Sequence, residues 1–438
     1  MPLSRRRLVA SLGTLATPAN ALGQPPSSPQ PVTARPAGDP ARTARDEDFW
    51  RHVARQYRVS DDFINLENGY YGIMPTAVLD AYRRNVERLN SLNSYLLRTT
   101  YKAEADQIRQ RVAVTVGAAK EEIAFTRGGT EALQCLIGGY RNLRPGDAVM
   151  YADLDYHSAR YAMNWLQDRR GVDVVRIAIP EPATRRAILD TYTRALEDHP
   201  RVKLLLLTHL NNITGLVPPV QEIVTAARVR GVDVIVDAAH SWGQLDFTLP
   251  DLGADFGVFS LHKWMGAPLG TGFLYIRKDR LADIDRAFAD ETYPDDDIRS
   301  RVHSGTLDAA AVLSVPAALD FHQALGSAVK QARLQYLRNR WVQQTRDIEG
   351  LDILTPNESA AYGAITSFRL GGHSSEADNT AIAQYLMEHH GIFTVRRGGP
   401  VRGDCVRQRR RCSRCRISST RSGRRFTPPR VDSARAEL

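Results

Sequence analysis

The chain has 438 residues, 43% of them hydrophobic, which is enough for two packed domains. No apolar run approaches the ~20 residues that a membrane-spanning helix needs. The formal net charge of +9 resides in residues 402–438, where 12 arginines face Asp404, Asp432 and Glu437, so residues 1–401 are neutral overall and carry no nucleic-acid footprint.

In chain order, Ser4-Arg5-Arg6-Arg7-Leu8, a weakly apolar stretch to Ala16 and Ala19-Asn20-Ala21 read as a twin-arginine export signal with its cleavage site over residues 1–21. The expected destination is the periplasm or the exterior. Residues 22–45, rich in Pro, Ala and Ser, read as a linker. A segment over 46–75 leads into a large domain over 76–316. There the pattern alternates: strands at Glu122–Thr126, Asp147–Tyr151, Val172–Ile177, Val202–Thr208, Val232–Asp237 and Phe256–Ser260, with helices at Thr130–Tyr140 and Val217–Arg230 between them. Val202–Thr208 is almost wholly apolar, as a strand buried on both faces should be. The expected fold is α/β with a mostly parallel sheet, and ligands then bind where strands end. Helical patterns after Ala317, including Ala332–Asp347, and a strand at Ile365–Leu370 predict a smaller α+β domain over 317–407. From 408 to 438, Arg, Ser, Pro and Cys dominate and no apolar face recurs. Four cysteines, three of them in this tail, make no disulfide framework, and Cys412-x-x-Cys415 lacks a second ligand pair for zinc, so no metal is expected.

Chemistry centres on Ser260-Leu-His262-Lys263-Trp264. A lysine at a strand end among apolar residues has its ammonium form destabilised, and a neutral amine is the nucleophile for a Schiff base. Alone, it could be a surface lysine. Asp237 ends a buried strand upstream; such a carboxylate needs a cation, which a pyridinium nitrogen would supply, or else it caps a helix. Arg127-Gly-Gly129-Thr130 joins strand to helix, where N–H groups attract phosphate, although Thr130 would also serve as an ordinary cap.

The order Gly-Gly-Thr, Asp-Tyr-His, Asn, Asp-x-x-His, Ser-x-His-Lys resembles the class V aminotransferase family of pyridoxal-phosphate (PLP) enzymes. Leu261-His-Lys-Trp-Met-Gly-Ala-Pro-Leu-Gly-Thr-Gly-Phe-Leu-Tyr275 looks most like its isopenicillin N epimerase-like branch. The resemblance implies a PLP-dependent aminotransferase-like large domain of fold type I. It implies that Lys263 carries PLP and moves protons at the substrate Cα, and that Asp237 pairs with the pyridine nitrogen. Asn212 and His240 would meet the ring hydroxyl side, and Tyr156 would stack on the ring, with His157 as the substitute. Gly129, Thr130, Ser260 and His262 would hold the phosphate. Thr306, in Ser304-Gly305-Thr306, would reach the phosphate in the neighbouring subunit of a homodimer, or cap the next helix. Asn68, Tyr70 and Tyr71 would line the substrate pocket, or be turn and core residues. Arg407 would bind the substrate carboxylate, with Arg416-Ile-Ser as a second candidate.

Two departures matter. Val395-Arg-Arg-Gly-Gly-Pro400 has no thiol where cysteine desulfurases keep their nucleophile, and Cys405 falls too late. The collapse of pattern after Arg407 fits either a shifted reading frame or a native disordered tail. The expected function is PLP chemistry at the Cα of an amino acid or related amine, as an epimerase or aminotransferase. The alternatives are a PLP-dependent lyase and a catalytically impaired PLP-fold binding protein.

Overall fold

The computed structural model describes residues 38–181, 183–373, 375–396 and 401–404. The export signal, most of the linker and the tail, with Cys405, Arg407 and Arg416, lie outside the described residues.

The large domain is built on seven strands: β1 (Ile123–Thr126), β2 (Ala148–Ala152), β3 (Asp173–Ile177), β4 (Val202–Thr208), β5 (Asp233–Asp237), β6 (Phe256–Ser260) and β7 (Gly272–Ile276). They stand in the order β1-β7-β6-β5-β4-β2-β3. Only β7 runs against the rest, pairing antiparallel with β1 and β6. Period-two alternation explains the central strands. Leu205 and Leu207 of β4 enter the core on one face and Leu204 and Leu206 enter the core on the other, so an unbroken apolar run serves both layers. One layer is formed by α1 (Gly129–Gly139) and α2 (His157–Arg170), through Leu133, Leu136, Ile137, Met163 and Leu166.

Several expected boundaries shift by a residue or more, and the helix expected over Ala332–Asp347 spans Ser327–Thr345. The helix expected from Val217 begins at Val220, because Pro218 and Pro219 precede it. The helix expected from Thr130 begins at Gly129, with Gly128 at the cap position. The small domain was expected from 317, but that position lies inside α3 (Ala309–Leu325), whose Val315, Ala318 and Leu319 belong to the large-domain core. The break comes at Gly326, where φ of +79° ends the helix before α4 (Ser327–Thr345).

The small domain carries an antiparallel sheet of β8 (Leu351–Ile353), β9 (Ile365–Leu370), β10 (Val395–Arg396) and β11 (Val401–Asp404), in the order β10-β11-β9-β8. An apolar cluster joins the domains: Leu210, Val217, Leu245 and Trp264 from the large one meet Leu334, Ala364 and Ile365. Near the start of the chain, Ile64–Asn65 pairs in parallel with Ile392–Phe393, and this seats residues 66–75 beside the sheet edge.

Candidate active site

Because β1, β2, β4, β5 and β6 run the same way, the residues after their last positions gather along one edge of the sheet. Asp237 ends β5 and is 4% exposed. Its Oδ1 accepts the Ala239 N–H at 3.0 Å, so it closes a turn and does not cap a helix. Burial pushes its carboxyl above the ordinary range, while the Ala239 N–H and any positive charge on Lys263 pull it back down. A buried acid in this condition suits a ligand that brings a protonated ring nitrogen.

Lys263 follows β6 and is half-buried. Its Nζ lies 2.9 Å from Nε2 of His240, which stands three residues after Asp237. Trp264 donates its indole N–H to the other imidazole nitrogen, Nδ1, at 3.4 Å. The backbone at Lys263 is pressed from outside by Gly72. The Gly72 N–H donates to the His262 carbonyl at 2.8 Å, and a Cβ on residue 72 would fall 2.1 Å from the Lys263 carbonyl oxygen. Only glycine permits that approach.

The anion end lies at the start of α1. Ser260 Oγ accepts the Gly129 N–H at 3.1 Å, which leaves the hydroxyl proton to donate outward. Thr130, in the first turn, is exposed and caps nothing. His262 donates from Nδ1 to the Thr271 carbonyl at 2.8 Å, and burial drives its pKa down to about 4 despite that bond. Gly128, at φ +149°, lies against this ring: a Cβ there would sit 2.9 Å from His262 Cε1. Glycine nitrogens at a helix start, a hydroxyl and an imidazole form a cradle for a phosphate.

The remaining expected residues distribute as follows. Tyr156 is half-buried at the start of α2, its ring centroid 4.6 Å from that of exposed His157. Asn212 is half-buried; its neighbour Asn211 is buried and takes the Ile213 and Thr214 N–H groups. Asn68 is 5% exposed, whereas Tyr70 and Tyr71 are 67% and 52% exposed, which removes the reading of both tyrosines as core. Thr306 is exposed and does not cap α3; Asp308 does, accepting the Ala311 N–H at 3.1 Å. Ser304 donates to Glu131 at 2.6 Å, so the Ser304–Thr306 turn lies beside the first turn of α1.

Four residues that the sequence left without a role also stand here. Asp155 is 2% exposed and takes the Ala152 and Thr208 N–H groups at 2.7 and 3.0 Å, tying β2 to β4; burial, with a contribution from Asp237, raises its carboxyl to about 7. His209 follows β4 with its ring 4.6 Å from that of Phe247, and burial lowers it to about 4. Gln244 joins the His240 carbonyl at 2.7 Å to the Ala364 N–H at 2.5 Å, across the domain boundary. Trp264 is the fourth. An acid in Asp153-Leu-Asp155 beside an expected site residue was the one available sequence signal, for Asp155.

The aminotransferase class-V family profile matches residues 73–420, a span that takes in both Arg407 and Arg416. An isopenicillin N epimerase from Streptomyces clavuligerus is 26% identical over 338 residues, 73% of this chain and 84% of that protein. A probable cysteine desulfurase from Methanothermobacter thermautotrophicus is 29% identical over 314 residues, 68% of this chain and 74% of that protein. Among solved structures, a mutant of C-DES with glycine covalently linked to its PLP cofactor superposes with a TM-score of 0.69 at 23% identity, over 79% of this chain and 92% of that one. Apo cysteine desulfurase from Thermococcus onnurineus gives 0.70 at 20% identity, over 82% and 92%.

Proposed function

This chain belongs to the aminotransferase class-V family, a PLP-dependent family, and on that premise we propose that Lys263 holds the cofactor covalently and that the enzyme acts at the Cα of an amino acid or related amine, as an epimerase or aminotransferase. The carrying observation is the pair formed by Lys263 Nζ and His240 Nε2 at 2.9 Å, three residues beyond a buried Asp237. When bound, the cofactor supplies an electron sink that weakens the bonds at Cα.

The chain's own residues do the rest. Asp237 keeps a proton on the ring nitrogen, because a cation there stabilises its buried carboxylate beyond what the Ala239 N–H supplies. The amine of Lys263, once released by the incoming substrate amine, takes and returns the Cα proton. Gly129, Thr130, Ser260 and His262 anchor the phosphate, Asn212 and His240 face the ring hydroxyl, and Tyr156 covers the ring. Asn68 and Tyr70 line the substrate side, and Arg407 or Arg416 receives the carboxylate. Thr306 serves the partner's phosphate in a homodimer.

The match to an epimerase and the lack of a thiol in Val395–Pro400 favour epimerisation or amino transfer over desulfuration. A PLP-dependent lyase is the second reading, and a catalytically impaired PLP-fold binding protein the third. Export through the twin-arginine route suits a protein that binds its cofactor in the cytoplasm, since that route carries folded proteins; the enzyme would act in the periplasm or outside the cell.

Borohydride reduction of the purified yellow protein, followed by peptide mass mapping, tests the assignment. The label is expected on Lys263; a label on another lysine, or none, defeats it. An absorbance screen of L- and D-amino acids with product analysis then separates epimer, keto acid and eliminated fragment.

A further inference from the structure

Trp264 stands next to Lys263 in sequence, yet its indole turns away into the cluster between the domains. There it meets His240, which also faces the lysine amine. The indole N–H can only donate, so His240 Nδ1 must accept. A neutral imidazole that accepts at Nδ1 carries its proton on Nε2. Nε2 is the atom 2.9 Å from Lys263 Nζ. An Nε2–H donated across that distance requires a lone pair on the amine, which an ammonium lacks. An ammonium donating to Nε2 would instead require the imidazole proton on Nδ1, directly against the indole N–H.

We infer that Trp264 is a positioning residue that fixes the Nε2–H tautomer of His240 and thereby holds Lys263 as the neutral amine needed for attachment of the cofactor. The inference rests on the assignment of Lys263 given above. The charged and titratable groups around the lysine set the opposing forces. Asp237, from β5, favours the ammonium; His262, on the same turn, is held neutral by burial. Gly72, from the N-terminal segment, brings no charge; between Leu66 and Pro75 the titratable side chains are Glu67, whose carboxylate accepts the Tyr70 N–H, Tyr70 and Tyr71. From α4, Lys330 donates to the Trp264 carbonyl, and burial lowers its own ammonium to about 7, so it adds little charge near Lys263 above that pH. The anchoring of Trp264 by Lys330 on one side and by Leu245, Leu334 and Ala364 on the other keeps the indole aimed at His240.

The test uses the full-length chain stripped of cofactor, with PLP as the probe. The rate of appearance of the yellow adduct is followed against pH in the native chain, Trp264→Phe, His240→Asn and the double variant. Phenylalanine keeps the ring and removes the N–H. The pH midpoint of the rate should lie well below that of free lysine at ~10.4, and should rise by about one unit or more in Trp264→Phe. In the His240→Asn background the same change should move it by nothing further. An unshifted midpoint in folded Trp264→Phe, or a shift that persists without His240, overturns the inference. Should Trp264→Phe not fold, ¹⁵N NMR of the native chain labelled at histidine decides. The His240 signal, identified by its loss in His240→Asn, must report a protonated Nε2; a protonated Nδ1 overturns the inference. Borohydride labelling runs in parallel. Label on Lys263 with an unmoved midpoint sinks only the role of Trp264, whereas label elsewhere sinks the proposed function itself.

Discussion

Two buried carboxyls lie at the ends of β5 and β2, the strands on either side of β4, and they answer to different partners. Under the proposed function Asp237 meets its counter-charge on a cationic ring nitrogen, so Asp237→Asn should lower turnover by about 10²-fold or more while the protein still binds PLP, measured as kcat against retained cofactor absorbance. Asp155 takes two backbone N–H groups, yet burial holds its carboxyl at about 7. The folded state therefore prefers it protonated. Below the ordinary Asp range near 3.9 both folded and unfolded forms are protonated and nothing is lost; as pH climbs from there toward about 7, only the unfolded chain gains by ionising, and stability falls. Melting temperatures of the cofactor-free chain should decline over that window, and Asp155→Asn should flatten the decline even though it loses one N–H acceptor. A slope unchanged by the substitution would assign the pH dependence elsewhere. Lys263, His262 and Asp237 were legible as residue types at strand ends. The Trp264 contact was not, because it depends on bringing together side chains 24 positions apart.

Among the elements, the turn from β1 into α1 is the most demanding. Gly128 sits at φ +149° with no room for a methyl group beside His262. Gly128→Ala should displace that imidazole from the phosphate cradle and cost about 1–3 kcal/mol in backbone strain and lost packing, read as weaker PLP retention on gel filtration and a lower melting temperature. The parallel strands could be read from sequence because strands buried on both faces leave unbroken apolar runs, as in β4. The direction of β7 could not, since Gly-Phe-Leu-Tyr-Ile carries no mark of whether its neighbours run with or against it. The late start of the helix expected from Val217 was written in Pro218-Pro219. The continuation of α3 past 317 was hidden because Ala- and Val-rich turns look alike whichever domain they pack against.

At the scale of the whole molecule, the small domain grips the turns that carry the site. Ser367 and Thr355 donate to the carbonyls of Ile213 and Thr214, on the loop holding Asn212, and Gln244 links the His240 turn to Ala364, just before β9. Gln244→Ala leaves the buried Ala364 N–H without its acceptor and should destabilise the protein by about 2–4 kcal/mol in urea unfolding, with loss of PLP at lower denaturant than in the native chain. Loss of cofactor and of secondary structure at unchanged midpoints would detach the site from the domain contact. The pairing of Ile64–Asn65 with Ile392–Phe393 carries a consequence for biosynthesis. The ribosome makes the first of these strands more than three hundred residues before the second, so the pair cannot form until nearly the whole chain has emerged. The stretch ending in Gly72 can meet the His262 carbonyl earlier in synthesis, but it gains this second anchor only near the end.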